Sequence, residues 1–195
     1  MYSSQLHTLI NRDPLMRKKF MGFCAKDELK PIVLNSSSRN DCAYIANTDN
    51  AKEIGEHWVL AYRRWQGNQV LFIDPLANPP DFYGPEFSWW LRNFHVVQLP
   101  TPVQGDNSVL CGLFVLYFFY YLSRGCRLAS ILRTLSKSHP HLNDRLVLDF
   151  AWKKFHFNGR KLTGSGGGNV LYKRRGCCED LVLDYENTKC LIHGK

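Results

Sequence analysis

Three residue types in this chain are spaced so that together they offer acyl transfer by a thiol: Cys111, His57 and Asp74. Cys111 stands where the polar run Thr101 to Ser108 gives way to "VLCGLFVLYFFYYL", Val109 to Leu122. A helix starting there aims unpaired N–H groups and the positive end of its dipole at the thiol, which favours the reactive thiolate. Position alone is not enough, because a lone buried cysteine usually serves as a small hydrophobe. A thiol nucleophile also needs a base within reach and a third group to orient that base. Of the seven histidines, His57 opens a strand, precedes Trp58, and has a carboxylate, Asp74, at the end of the next strand. Gln104, in the loop before Cys111, adds a side-chain amide for an oxyanion, and the Cys111 N–H adds another donor. Each has a plainer reading by itself: His57 as a strand-edge residue, Asp74 as a turn former before Pro75, Gln104 as a polar loop residue. The four placements coincide, and the chemistry they offer requires no metal.

These residues need elements to hold them. "HWVLAYRRW" (His57 to Trp65) and "NQVLFIDPL" (Asn68 to Leu76) are rich in β-branched and aromatic residues, and Gln66-Gly67 between them suits a tight turn. The pattern predicts a hairpin, closed by Pro75, that sets the start of one strand across from the end of the other. Upstream, helical spacing at Leu6, Leu9 and Ile10, a break at Asp13-Pro14, and resumption at Leu15, Met16 and Phe20 predict two short helices, the second closed by Gly22. "LNSSSRND" reads as a polar loop and "CAYIANT" as a buried strand. After the Pro-rich "LANPPDFYGPEF" come a short helix around Ser88 to Asn93 and a strand, "FHVVQLP". The run from Val109 is apolar on every side, so its helix must be surrounded by protein. It is well short of the roughly 20 residues a membrane span needs, and Gly125 fits its C-terminal stop. Two more amphipathic segments, Leu128 to Ser136 and Asn143 to Phe157, follow. The sum is an α+β fold, a small mixed β-sheet packed on a buried central helix that carries Cys111, with peripheral helices outside.

At 195 residues, 45% apolar and 13% aromatic, the chain has enough material for one domain with a real core, plus a tail. The balance of 25 Lys and Arg against 17 Asp and Glu gives +8, which favours polyanions. The charges are scattered, without a helix-turn-helix, finger or RNP pattern, so any nucleic-acid contact is expected to be to the DNA backbone. Seven cysteines make an odd set without a CxxC, and "MYSSQLHTLINRDP" holds no secretory apolar region, so a reducing compartment is expected. No membrane partner is expected, and the chain reads as a monomer.

"GEHWVLAY", the seventeen-residue spacing from His57 to Asp74, and above all "VQGDNSVLCGLF" resemble the adenovirus-type cysteine endopeptidase family, adenain. "CAYIANT" and the N-terminal helical pair are also similar, so the resemblance runs from about Ser3 to Leu122. It implies an adenain/Ulp-like fold with Cys111 as nucleophile, His57 as base, Asp74 as its orienter and Gln104 as oxyanion donor. It also implies Trp58 as a packing lid on the imidazole, with Gly105 and Asn107 lining the site. Asp74 stands where the adenoviral enzymes commonly have Glu, and more distant members of the clan have Asp. The implied activity is cleavage of viral precursor proteins during particle maturation, at sites of the type hydrophobic-x-Gly-x/Gly. The implied setting is the virion and the host-cell nucleus, with DNA as a possible second cofactor. A ubiquitin-like-protein-specific protease of the same clan is the alternative. A non-enzymatic basic DNA-binding particle protein that retains the fold is a second.

The composition changes after Leu162, dividing the chain into a protease domain (1–162), a Gly/Ser-rich linker (163–168) and a tail (169–195). "LTGSG" resembles the family's cleavage sites, with Ser165-Gly166 as the scissile bond. "NVLYKRRGCC", holding Val170, Leu171, Tyr172, Lys173, Arg174, Arg175, Cys177 and Cys178, resembles the peptide that activates adenoviral enzymes by adding a strand to them. The tail is thus expected to be an activating peptide, tethered or released, with a natural or an engineered linker as open alternatives and a tail without such a role as a third. The adenoviral disulfide partner of that peptide lies between acid and nucleophile. Here that interval has no cysteine, leaving Cys24, Cys42 or Cys126 as partner, or a reduced tail. The spacing of Cys177, Cys178, Cys190 and His193 is unlike common structural zinc sites.

Overall fold

The computed structural model describes residues 1–29, 40–65 and 67–157. The chain opens with two short helices, α1 (Ser3–Asn11) and α2 (Pro14–Lys19). Asp13 starts the second: its carboxylate accepts from the N–H groups of Leu15 (3.1 Å) and Met16 (2.9 Å), and Pro14 sits where its missing N–H costs nothing. The same carboxylate pairs with Arg124, whose guanidinium lies 3.4 Å from the centre of the Tyr120 ring. This ties the N-terminal helices to the far end of the central helix.

Phe20 does not continue α2, as the helical spacing had predicted. Residues Phe20–Cys24 form a strand, β1, and Gly22 lies inside it instead of closing a helix. The spacing of Phe20 and Phe23 suits a helix, but pairing with β2 (Cys42–Asn47) makes the segment a strand, with an irregularity in register between Phe20 and Gly22. The hairpin forms as β3 (Trp58–Arg63) and β4 (Gln69–Ile73), antiparallel with Leu60 opposite Ile73 and Arg63 opposite Val70. Gly67 of the turn takes a φ of +114°, a conformation that glycine adopts freely. Beyond a one-turn 3₁₀ segment, Pro80–Tyr83, come α3 (Pro85–Leu91) and β5 (His95–Gln98). The sheet order is β1-β2-β3-β4-β5, antiparallel in its middle pairs and parallel at both ends. The fold is α+β with a mixed sheet.

The central helix, α4 (Cys111–Ser123), buries eleven of its thirteen residues, as a helix apolar all round must. Sheet strand β3 covers one side, and α1, α2, α5 (Leu128–Leu132) and α6 (Pro140–Phe155) contact it elsewhere. Phe114, Phe118 and Phe119 are fully enclosed, each worth roughly 1.5–3 kcal/mol of burial. Val109 and Leu110, which the apolar run had included in the helix, stay outside it, and Val109 is 72% exposed. Cys111 is therefore the first helical residue. On the opposite face of the sheet, α3 sends Phe87, Trp90 and Leu91 into a cluster with Val59, Ala61, Val70 and Phe72. Among the described residues no helix is long and apolar enough to cross a membrane. The linker and tail, with Ser165-Gly166 and Val170 to Cys178, lie outside the described residues.

Candidate active site

Cys111 opens α4 after Leu110, whose φ of −98° and ψ of 14° turn the chain into the helix. The carbonyl of Leu110 already accepts from Leu113 and Phe114. No hydrogen bond from the Cys111 N–H occurs among the described residues, which leaves this donor at the helix head available to a ligand. Gly112 follows because a Cβ there would stand 3.1 Å from Met1 Sδ and 3.5 Å from Leu6 Cδ1; the missing side chain lets the N-terminal residues pack on the helix start.

His57 lies one residue ahead of β3 and is 8% exposed. Its carbonyl accepts from the Thr48 N–H at 3.0 Å, pinning the base to the end of β2. Its Nε2 meets Asp74 Oδ1 at 2.6 Å. Because a carboxylate oxygen accepts, Nε2 carries the proton, and Nδ1 is the nitrogen left for Cys111.

Asp74 directly follows β4 and is 1% exposed, and its two oxygens take four donors. Oδ1 accepts from His57 Nε2 and the Leu76 N–H (2.9 Å); Oδ2 accepts from the Asn78 N–H (2.8 Å) and the Tyr83 hydroxyl (2.7 Å). The Tyr83 ring also stacks on His57, with centroids 5.9 Å apart and planes 25° apart, and Asn78 Nδ2 donates to the Tyr83 oxygen at 3.1 Å. Tyr83 and Asn78 are the site residues that sequence reasoning missed. Their one signal was an aromatic in "NPPDFY", which follows the Asp-Pro that closes the strand after two intervening residues.

The charges of the site reinforce one another. Burial pulls the His57 pKa down, but Asp74 and Cys111 together outweigh it and hold the imidazole at about 9. Burial alone would raise the Cys111 thiol; His57 and the Trp58 N–H reverse that and bring its pKa below the usual value for a thiol. Of the other free cysteines, Cys24 is pushed up to about 12, first by burial and then by Glu28, and burial also raises Cys42. Neither Cys24 nor Cys42 takes the disulfide that the sequence left open to them. A thiol poised as thiolate beside an imidazolium is chemically an activated nucleophile next to its proton donor.

Gln104 is 2% exposed and folded into its own loop, where Nε2 donates to the Ser108 carbonyl at 2.6 Å. An amide nitrogen carries two hydrogens, so one remains for a ligand. The N–H groups of Val103 and Gln104 both reach the Pro75 carbonyl, at 2.9 and 3.1 Å, joining this loop to the corner that bears Asp74. Gly105 is half-buried and Asn107 is exposed at the loop tip. Trp58 is placed differently from the lid that the resemblance implied. Its ring meets Phe23 edge-on at 5.7 Å and its indole N–H donates to the Met1 carbonyl at 2.9 Å; Tyr83 is the ring stacked on His57. The Trp58 backbone N–H, not its ring, is what interacts with Cys111.

No protein-family model matches the chain, and no curated protein matches it. Among solved structures, one chain similar to it is described as "SUMO protease Ulp1 with the catalytic cysteine oxidized to a sulfinic acid". The identity is 15%, the match covers 77% of this chain and 68% of that one, and the TM-score is 0.33. That description falls in the class of the alternative, ubiquitin-like-protein protease, reading; a likeness at this score carries no argument about what this chain does.

Proposed function

We propose that this chain is a cysteine peptidase. The observation that supports it most is the buried His57 Nε2 to Asp74 Oδ1 contact of 2.6 Å, placed so that the imidazole faces the Cys111 thiol at the head of a buried helix. In this reading the Cys111 thiolate attacks a peptide carbonyl, and the Cys111 N–H and the Gln104 amide receive the oxyanion. The imidazolium of His57 gives its proton to the departing amine as the C–N bond breaks, leaving a thioester. Water, deprotonated by His57, then cleaves that thioester and returns the thiol. Asp74 holds the ring in the tautomer that this exchange requires.

Two substrate classes fit the chemistry. The "VQGDNSVLCGLF" motif favours an endopeptidase of viral precursor proteins, cutting at hydrophobic-x-Gly-x/Gly sites. The aspartate at position 74 favours the ubiquitin-like-modifier proteases, whose substrates also end in glycine. Peptides of the "LTGSG" type and Gly-Gly-ended modifier conjugates, each assayed with wild type and Cys111→Ala, separate them. Cleavage of one class, lost in Cys111→Ala, is the expected result. If neither is cut, with the tail and DNA present, the non-enzymatic DNA-binding reading replaces this one. In the same proposal the tail acts as an activating peptide, so removal of residues 164–195 lowers turnover; unchanged turnover would remove that role.

A further inference from the structure

Helix α6 lies beyond the span of the motif that carries the catalytic residues, yet its first turns hold the loop of Gln104. Asn143 is 1% exposed and makes three hydrogen bonds. Its Nδ2 donates to the Val103 carbonyl (2.9 Å) and the Ser136 carbonyl (2.8 Å), and its Oδ1 accepts from the Ser136 N–H (2.7 Å). The Val103 carbonyl belongs to the peptide unit whose N–H is that of Gln104. That peptide unit is therefore gripped from both ends, its N–H by Pro75 and its C=O by Asn143. One residue on, a Cβ at Gly105 would stand 3.3 Å from Asp144 Oδ2 and 3.6 Å from His141 Cα, so the loop lies directly against the first turns of α6. Within the loop, Gln104 Oε1 is buried without a hydrogen-bond partner. The Asp144 carboxylate also holds the loop, through the Gly105 N–H and the Ser108 side chain, but it is Asn143 that grips the Val103–Gln104 peptide itself.

We propose that Asn143 is a positioning residue for the oxyanion site, fixing the Val103–Gln104 peptide so that the Gln104 amide is aimed before substrate arrives. The inference rests on the cysteine-peptidase reading and extends it to a residue that never touches substrate. Donors stabilise a transition state only when they are already in place, and a misplacement of about 1 Å costs up to about a hundredfold in rate. Without its Asn143 anchor, the Val103–Gln104 peptide keeps its N–H on Pro75, and Gly105 keeps its contact with Asp144, but the peptide C=O is released to tilt.

The test uses the full chain with Asn143→Asp, which is isosteric, keeps the acceptor for Ser136 N–H, and puts an oxygen against the Val103 carbonyl. A fall in kcat of about tenfold with KM within about twofold of wild type is expected, with a peptidyl aldehyde inhibitor weakened in proportion. Alkylation of Cys111 by iodoacetamide forms no oxyanion, so its rate should stay within about twofold of wild type. In a Gln104→Ala background, Asn143→Asp should add less than about twofold, since both act through one group. A merely structural role would lower alkylation along with kcat, or give losses that multiply in the double variant, and either result overturns the inference. So does an unchanged kcat. Should Asn143→Asp not fold, Asn143→Ser, which removes the amide without adding charge, carries the same comparison. The two failures are distinguishable: a wild type without Cys111-dependent hydrolysis ends the peptidase reading and this inference together, whereas an active wild type with an equally active variant ends this inference alone.

Discussion

Replacing Asp74 by Asn changes one atom at the point where most of the site's electrostatics converge. The two oxygens of Asp74 serve four donors, and an amide offers only one oxygen. If the new NH₂ takes the Oδ1 position, it faces the Leu76 N–H and His57 Nε2, and the imidazole must move its proton to Nδ1, away from the tautomer the reaction needs. If it takes the Oδ2 position, the Tyr83 hydroxyl can turn to accept, but the Asn78 N–H is orphaned. Either choice leaves a part-buried backbone donor unpaired, a cost of up to about 1–3 kcal/mol in stability. The larger effect is on the base. His57 stands at about 9 against an ordinary 6.5, and at about 1.4 kcal/mol per pKa unit the full return would be worth about 3–4 kcal/mol, or roughly three hundredfold. That is a ceiling, because Cys111 contributes to the same shift. Leaving-group departure needs protonated His57, so activity persists below the pKa of that group and falls as pH rises through about 9. Removing the carboxylate leaves burial opposed by Cys111 alone, which lowers the pKa and moves this limb toward neutral. The assay is kcat/KM against pH for wild type and Asp74→Asn. A fall of tenfold to a hundredfold at pH 7.5 with the alkaline limb displaced downward is expected. A limb that stays at about 9 in the variant refutes the reasoning, whatever happens to the rate.

Tyr83→Phe keeps the ring on His57 and deletes the hydroxyl that Asp74 Oδ2 accepts, so a denaturant melt should show a loss of about 1–3 kcal/mol. Gly55, at φ +85°, leaves no room for a Cβ, which would sit 2.6 Å from Asn47 Nδ2; Gly55→Ala should cost more than about 1 kcal/mol and slow turnover, because the loop it distorts delivers His57. Asp13→Ala removes an N-cap and the partner of Arg124 at once, so thermal stability should fall by about 1–3 kcal/mol while Cys111 alkylation stays unchanged.

Where side-chain pattern and local chemistry agree, the sequence was sufficient. "CAYIANT", the hairpin halves and the all-apolar run each have one favourable state, and the strand and helix they form differ from expectation only at the ends. Asp74 and His57 were readable as a pair because a two-stranded hairpin leaves little freedom in what its open end brings together. β1 was not readable, since the spacing of Phe20 and Phe23 continues the helical pattern, and the strand is imposed by a distant partner, β2, with a register irregularity between Phe20 and Gly22 that no alternation records. Tyr83 and Asn78 were hidden for a related reason. They reach Asp74 because a Pro-rich loop curls back through a 3₁₀ turn, and no periodicity records such a path. Asn143 was hidden further still, its role set by the packing of α6 on a loop some forty residues earlier. Trp58 shows the opposite error: the resemblance implied a lid on the imidazole, whereas strand alternation turns its ring toward Phe23 and Met1.

The central claim is that Cys111 is a thiolate held ready by His57, and selectivity among the free thiols tests it most directly. Cys24 and Cys42 are buried thiols with raised pKa values in the same molecule, and Cys111 is the one whose pKa its neighbours lower. Limited iodoacetamide at pH 7, followed by peptide mass mapping, should label Cys111 well ahead of Cys24 and Cys42, and His57→Ala should abolish that lead. Labelling of Cys111 no faster than of Cys24 or Cys42, or a lead that survives His57→Ala, would contradict the account.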